Sequence, residues 1–432
     1  MAGLPKTFSH LGSLRRRFET LLAGARKMSS PAEALTHRPS RLQEIANFGA
    51  NPGNLRMLAY VPDRLPHTPA LVVALHGCTQ TADGYDHGTG WSTLAGRLGF
   101  VVIYPEQQAS NNPHNCFSWF LPGDTARERG EALSIREMVE RAIVDFGVDR
   151  TRVFVTGLSA GGAMASVMLA TYPEFFAGGA IIAGLPYGCA SSVEEAFEAM
   201  FQERAASARA LGDRVRNASR HQGPWPKISV WHGSADPLVK PSNAEDIVRQ
   251  WANVHGLSGP PSREETVNGH IRRIWEDGSG NTIIELVSVT GMTHGVPLAM
   301  GKGDESCGAL GPFFLNAGIA STNHIAQFWG LTTEAKTWSS AARKASPAIG
   351  ASSREIQVLT SSGGVSLEPA VAHVESNEAH SRRRRLDANA VIAAAFKAAG
   401  LSPPENTNQQ PGTVLPGPII EAALKAAGLV RR

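Results

Sequence analysis

The stretch Val153-Phe154-Val155-Thr156-Gly157-Leu158-Ser159-Ala160-Gly161-Gly162 runs on into the small and apolar residues Ala163 to Ala170. A β-branched run that ends in Gly-x-Ser-x-Gly and continues into helix-forming residues predicts a strand, a strained tight turn and a helix N-terminus. Ser159, at the turn, is the candidate nucleophile. Gly157 and Gly161 fit mechanically, because the turn brings the backbone so close there that a Cβ would collide with the neighbouring strand and helix. An isolated pentapeptide of this kind reads equally as a glycine-rich turn; the strand before it and Met164, Val167 and Met168 after it supply the context.

Working outward, Arg56 to Val61, Ala70 to Leu75 and Phe100 to Tyr104 read as strands, and Gly130 to Phe146 as an amphipathic helix carrying Ile135, Met138, Val139 and Ala142. Beyond the turn, Ala180 to Ala183, Ile228 to Trp231 and Ile283 to Val289 are further apolar strands, the last preceded by a hairpin across Asp277-Gly278-Ser279-Gly280. Short apolar strands alternating with helices predict an α/β fold with a mostly parallel central sheet flanked by helices. The segment Val193 to Ser219 reads either as a cap over the site or as a crossover with a long helix.

A serine hydroxyl is a weak nucleophile at neutral pH, so Ser159 needs a histidine base, and the base needs a carboxylate to fix its tautomer. In a strand–elbow–helix architecture the acid and then the histidine follow the nucleophile along the chain. Asp236, in Trp231-His232-Gly233-Ser234-Ala235-Asp236-Pro237-Leu238-Val239, lies just past an apolar strand, where ligands bind in such sheets. His294, in Gly291-Met292-Thr293-His294-Gly295, follows the last strand in a glycine-flanked loop. His232 precedes the acid and breaks the order. The anionic intermediate needs two backbone donors: the N–H of Ala160, and the N–H of Cys78 in the loop His76-Gly77-Cys78-Thr79-Gln80. His76 reads as a loop organiser.

Composition narrows the alternatives. With 41 basic and 38 acidic residues among 432, the net charge of +3 gives no global sign of a nucleic-acid partner. The four cysteines, Cys78, Cys116, Cys189 and Cys307, are too few for a disulfide scaffold and lack the spacing of a zinc site. No His-Glu-x-x-His pattern and no phosphate-cradling loop is present, so neither metal nor other cofactor is expected. No apolar run approaches a membrane span, and no secretory signal with a small-residue cleavage site is visible.

Residues 1–50 form an N-terminal extension, 51–331 the catalytic domain, 332–386 a linker expected to be disordered, and 387–432 a tail. In the extension, Phe8, Leu11, Leu14, Phe18, Leu21 and Leu22 share one helical face beside Lys6, Arg15, Arg16 and Arg17. That amphipathic helix reads as packed on the domain or loosely ordered, ahead of a membrane or targeting role. In the tail, Val391 to Leu401 and Ile419 to Leu429 repeat almost position for position. Each reads as a short helix that needs a partner protein, a hydrophobic particle or the body of the same chain to dock on.

Taken together, Leu75-His76-Gly77-Cys78-Thr79-Gln80-Thr81, Tyr104-Pro105-Glu106-Gln107-Gln108, Asn115-Cys116-Phe117-Ser118-Trp119-Phe120, the elbow, Trp231-His232-Gly233 with Asp236, and Gly291 to Gly295 resemble the esterases of the poly(3-hydroxybutyrate) depolymerase group, with relatives among feruloyl and acetylxylan esterases. The resemblance implies an α/β-hydrolase fold, a Ser159, Asp236, His294 triad and hydrolysis of short-chain hydroxyacid polyesters or related esters. It also implies an extracellular setting and a Cys78–Cys116 bridge; as residues alone the two cysteines read equally as free buried thiols. Trp91, Trp119 and Trp225 are candidates to line an acyl or polymer groove. The alternatives are an esterase of small or carbohydrate-linked esters and, outside catalysis, a hydrolase-like scaffold that holds a partner or granule through its terminal repeats.

Overall fold

In the computed structural model the described residues are 6–28, 40–203, 206–301, 306–332 and 338–339. Helix α1 (Lys6–Met28) comes first, followed by the strands β1 (Gln43–Glu44), β2 (Arg56–Tyr60), β3 (Leu65–Pro66) and β4 (Leu71–Leu75). Two helices, α2 (Ala82–Thr89) and α3 (Trp91–Leu98), lead to β5 (Val101–Glu106); α4 (Pro122–Thr125) and α5 (Gly130–Phe146) lead to β6 (Val153–Leu158). After α6 (Ala160–Thr171) come β7 (Gly178–Ile182), α7 (Val193–Phe201), α8 (Ala208–Arg216), β8 (Lys227–Gly233) and α9 (Ser242–Val254). The strands β9 (Arg263–Val267), β10 (His270–Glu276) and β11 (Thr282–Val289) follow, then β12 (Val296–Leu298), β13 (Phe314–Asn316), α10 (Ser321–Phe328) and β14 (Trp338–Ser339).

Ten strands form one sheet in the order β1-β2-β5-β4-β6-β7-β8-β11-β10-β9. The run from β5 to β11 is parallel, and both edges are closed by antiparallel strands. The reason is visible in the side chains. Along β4, Leu71, Val73 and Leu75 enter the apolar core on one face while Val72 and Ala74 enter the core on the other, so both faces must be covered. Each fully buried Val or Leu stabilises this arrangement by roughly 1.5–3 kcal/mol. Helix α6 is buried along all 12 residues, which is why it is apolar on every side. The polar β9, Arg-Glu-Glu-Thr-Val, is suited to an edge, where charge discourages further strand pairing.

Two short strands lie outside residues 51–331. Strand β1 pairs with β2 inside the stretch assigned to the extension, and Trp338 pairs with Pro66 beyond the expected end of the domain at 331. Strands of two residues show no periodicity, so nothing in the hydrophobic pattern marks them. Segment 193–219 holds α7 and α8. The terminal repeats and the run Arg382 to Arg385 lie outside the described residues. Among the described residues no helix is long and apolar enough to cross a membrane.

The chain passes from β4 to β5 on one side and then crosses back to β6 on the other. The carboxyl ends of β4 and β6 therefore sit side by side at the point where strand order reverses, with Leu75 opposite Gly157.

Candidate active site

Ser159 occupies the turn between β6 and α6 with φ 58° and ψ −117°, a conformation that L-residues rarely hold. Backbone strain of this kind costs on the order of 1–3 kcal/mol and persists where the surroundings over-determine it. Here they do: the Ser159 N–H donates to Ile182 C=O at 2.9 Å and its C=O accepts the Ala163 N–H at 2.8 Å. A Cβ on Gly157 would lie 2.3 Å from Gly161 O, and one on Gly161 would lie 2.2 Å from Leu75 O, so neither glycine can be replaced without moving backbone. The turn leaves the Ser159 side chain at the N-terminus of α6, beside unpaired first-turn N–H groups.

Asp236 lies on the loop after β8 and His294 on the loop after β11, and these parallel neighbours carry their loops to the same end of the sheet. Ala235 N–H donates to Met292 C=O at 3.0 Å and Gly291 N–H to Ser234 Oγ at 2.8 Å, which stitches the loops together. His294 Nδ1 is 2.7 Å from Asp236 Oδ2, so Nδ1 carries the proton and Nε2 is left as the basic nitrogen. The other carboxylate oxygen, Oδ1, accepts the N–H groups of Leu238 at 2.8 Å and Val239 at 3.0 Å. Burial pushes Asp236 up, but the charge of His294 and the hydrogen bonds from His232 and His294 outweigh it and hold the carboxyl well below its ordinary range.

In the loop after β4, three N–H groups have acceptors. Gly77 N–H donates to Gln80 Oε1 at 2.8 Å, Thr79 N–H to His114 C=O at 2.6 Å and Gln80 N–H to Gly77 C=O at 3.3 Å. Among the described residues no acceptor faces the N–H of Cys78. His76 organises the loop: fully buried, it donates Nδ1–H to Gly77 C=O at 2.8 Å and accepts the Gln107 N–H on Nε2 at 3.0 Å, and burial lowers its pKa. A disulfide joins Cys78 to Cys116, with Cα atoms 4.2 Å apart. The Cys116 segment is held in turn by Glu131, which accepts Gln107 Nε2–H at 2.6 Å and Ser118 N–H at 2.8 Å. Sequence reading missed Gln80 and Glu131, whose roles depend on contacts across loops.

One pocket brings Ser159, His294, Gly77 and Cys78 together, lined by Leu158, Met200, Leu238 and Phe313 and by Phe18 and Leu22 of α1. None of the three tryptophans expected at the site lines it. Trp91 is 1% exposed and stacks on Trp329 at 5.6 Å in the core; Trp119 is buried edge-on against Phe120; Trp225 packs on His221 and Trp251. Large aromatic side chains bury the most area in a core, and that demand took Trp91 and Trp119, while Trp225 is only partly buried. A wider cleft of about 410 Å³ lies between Lys227, Arg272 and Gln327, without Ser159 or His294. Its buried carboxylate, Glu285, is already engaged by Arg272 at 2.7 Å and Ser229 Oγ at 2.6 Å.

The family described as Esterase PHB depolymerase matches residues 58–265. Poly(3-hydroxyalkanoate) depolymerase C of Paucimonas lemoignei is 46% identical over 291 residues, which cover 67% of this chain and 70% of that protein. Feruloyl esterase B of Neurospora crassa is 38% identical over 261 residues, 57% of this chain and 86% of that protein. Among solved structures, an acetyl xylan esterase from Aspergillus awamori superimposes with a TM-score of 0.57 at 28% identity, covering 67% of this chain and 99% of that one.

Proposed function

Because this chain belongs to the Esterase PHB depolymerase family and is a serine esterase, we propose that it cleaves the ester bonds of short-chain hydroxyacid polyesters through an acyl-enzyme. Ser159 Oγ attacks the ester carbonyl while His294 Nε2 takes its proton. The N–H groups of Ala160 and Cys78 hold the oxyanion. His294, now an imidazolium paired with Asp236, returns the proton to the departing alcohol oxygen, and water then repeats the sequence on the acyl-enzyme. The supporting observation is a strained serine sharing one pocket with a histidine whose tautomer a buried carboxylate fixes at 2.7 Å. The walls favour an aliphatic acyl group over a sugar, since Met200, Leu238 and Phe313 offer no hydrogen bonds from their side chains.

The test follows acid release from a soluble butyrate ester and from an amorphous hydroxybutyrate polymer, with the parent and Ser159→Ala. Turnover of both substrates, with a loss of about a thousandfold or more in the variant, supports the reading. Turnover of the soluble ester alone makes the protein a small-ester hydrolase, and equal rates for parent and variant remove Ser159 from the mechanism.

A further inference from the structure

The pocket that holds Ser159 and His294 has about 10 Å³ of free space. That is room for about one water molecule, whereas ligand sites run to several hundred Å³. Phe18 and Leu22 of α1 line this space together with Ser159, His294, Met200 of α7, Leu238 and Phe313. The helix is held by the stripe Leu14, Phe18, Leu21 and Leu22, in which Leu14 is 7% and Leu22 is 8% exposed. Phe18 meets Phe197 edge to face at 5.6 Å, and the Arg17 guanidinium lies 4.8 Å from the centre of the Phe201 ring. Arg15, Arg16 and Glu19 are exposed on the outer side, with Arg15 paired to Glu19 at 2.9 Å.

With α1 in this position Ser159 is only partly exposed and the space beside it is narrow. We propose that α1 is a displaceable lid: Phe18 and Leu22 occupy the acyl site in the closed enzyme and leave it when the apolar stripe of α1 settles on the surface of a hydrophobic aliphatic polyester. The proposal rests on the reading of Ser159 as nucleophile. Two features of the helix select that partner. The stripe at i, i+4, i+7 and i+8 is apolar, so once lifted it requires another apolar surface rather than water. The arginines beside it match the carboxylate chain ends that ester cleavage leaves on such a surface. A soluble ester offers neither, and its turnover depends on the small population of molecules in which the helix has already lifted.

The experiment uses the full chain and three proteins: the parent, Phe18→Ser/Leu22→Ser, and Leu14→Ser, which loosens the same stripe without altering a side chain of the pocket. Each is followed by the rate at which a fluorophosphonate labels Ser159, by kcat/KM for a soluble butyrate ester, and by turnover of an amorphous hydroxybutyrate suspension. The expected result is labelling and soluble-ester turnover at least about fivefold faster in both variants, with polymer turnover reduced relative to the soluble ester. Labelling at the parent's rate in both variants overturns the lid while leaving Ser159 in place. Polymer turnover that rises in step with the soluble ester overturns the polyester surface as the partner of α1. No labelling of any of the three proteins removes the nucleophile, and the lid falls with it.

Discussion

His232 Nε2 lies 3.2 Å from Asp236 Oδ2, the same carboxylate oxygen that accepts the hydrogen bond from His294 Nδ1–H. It also lies 2.9 Å from Val239 C=O, and since both neighbours accept, the His232 proton is on Nε2. The histidine that broke the expected chain order is thus a second donor to the acid. Replacing it with leucine leaves Asp236 more basic and less firmly oriented. We expect His232→Leu to lower kcat by about tenfold, with KM nearly unchanged and the acid limb of the pH–rate profile moved to higher pH. His232→Gln, which can still donate, should recover part of the loss. A leucine variant with an unmoved pH profile would reduce His232 to a packing residue.

Asp236→Asn keeps the shape of the site and removes the preference for a proton on His294 Nδ1. The expected loss in kcat is on the order of 10³–10⁴ with the fold intact, checked by pre-steady-state kinetics and circular dichroism. The pKa of Asp236 is depressed in the folded chain, so its contribution to stability is present above the ordinary carboxylate range and is lost as pH falls through and below that range. Unfolding curves of parent and variant should therefore converge in acid.

The Cys78–Cys116 bridge closes a separation of 38 residues, and chain entropy alone makes it worth about 3–4 kcal/mol. It also fixes the residue whose N–H faces no acceptor. Cys78→Ser/Cys116→Ser should lower both the unfolding midpoint and kcat, the latter by about tenfold or more. A variant that loses stability and keeps its kcat would separate the bridge from the oxyanion site.

Glu131 is pushed up to about 7 by burial, although Ser118 and Gln107 donate to it. A carboxyl raised in the folded state stabilises below its ordinary pKa near 4.5, and that stability is lost as pH rises through about 7. Relative to Glu131→Gln, the parent should lose on the order of 3 kcal/mol between pH 4.5 and 7.5, measured by urea unfolding at a series of pH values. A constant difference across that range would contradict the assignment.

Strands whose residues were apolar on both faces, such as Leu71 to Leu75 and Val153 to Leu158, were legible because a buried parallel strand leaves an uninterrupted apolar run. Edge strands such as Gln43–Glu44 and Arg263–Val267 were not, because their residues face water and carry no period. The tryptophans were ambiguous for a related reason: the same bulk suits a groove and a core, and only the fold shows that Trp91 and Trp119 are buried while Trp225 is partly exposed.

The sequence by itself determined the strand–turn–helix around Ser159, with its glycines, and the order of Ser159, Asp236 and His294 along the chain. Those features are local, or follow from the direction in which a parallel sheet runs. Only the tertiary structure decided that His232 shares Asp236 with His294, that Gln80 occupies the N–H of Gly77 while Cys78 faces no acceptor, and that Phe18 and Leu22 line the pocket. Each of these joins residues from separate elements, and such contacts are selected by packing and hydrogen-bond satisfaction in three dimensions, which leave no periodic trace in the chain.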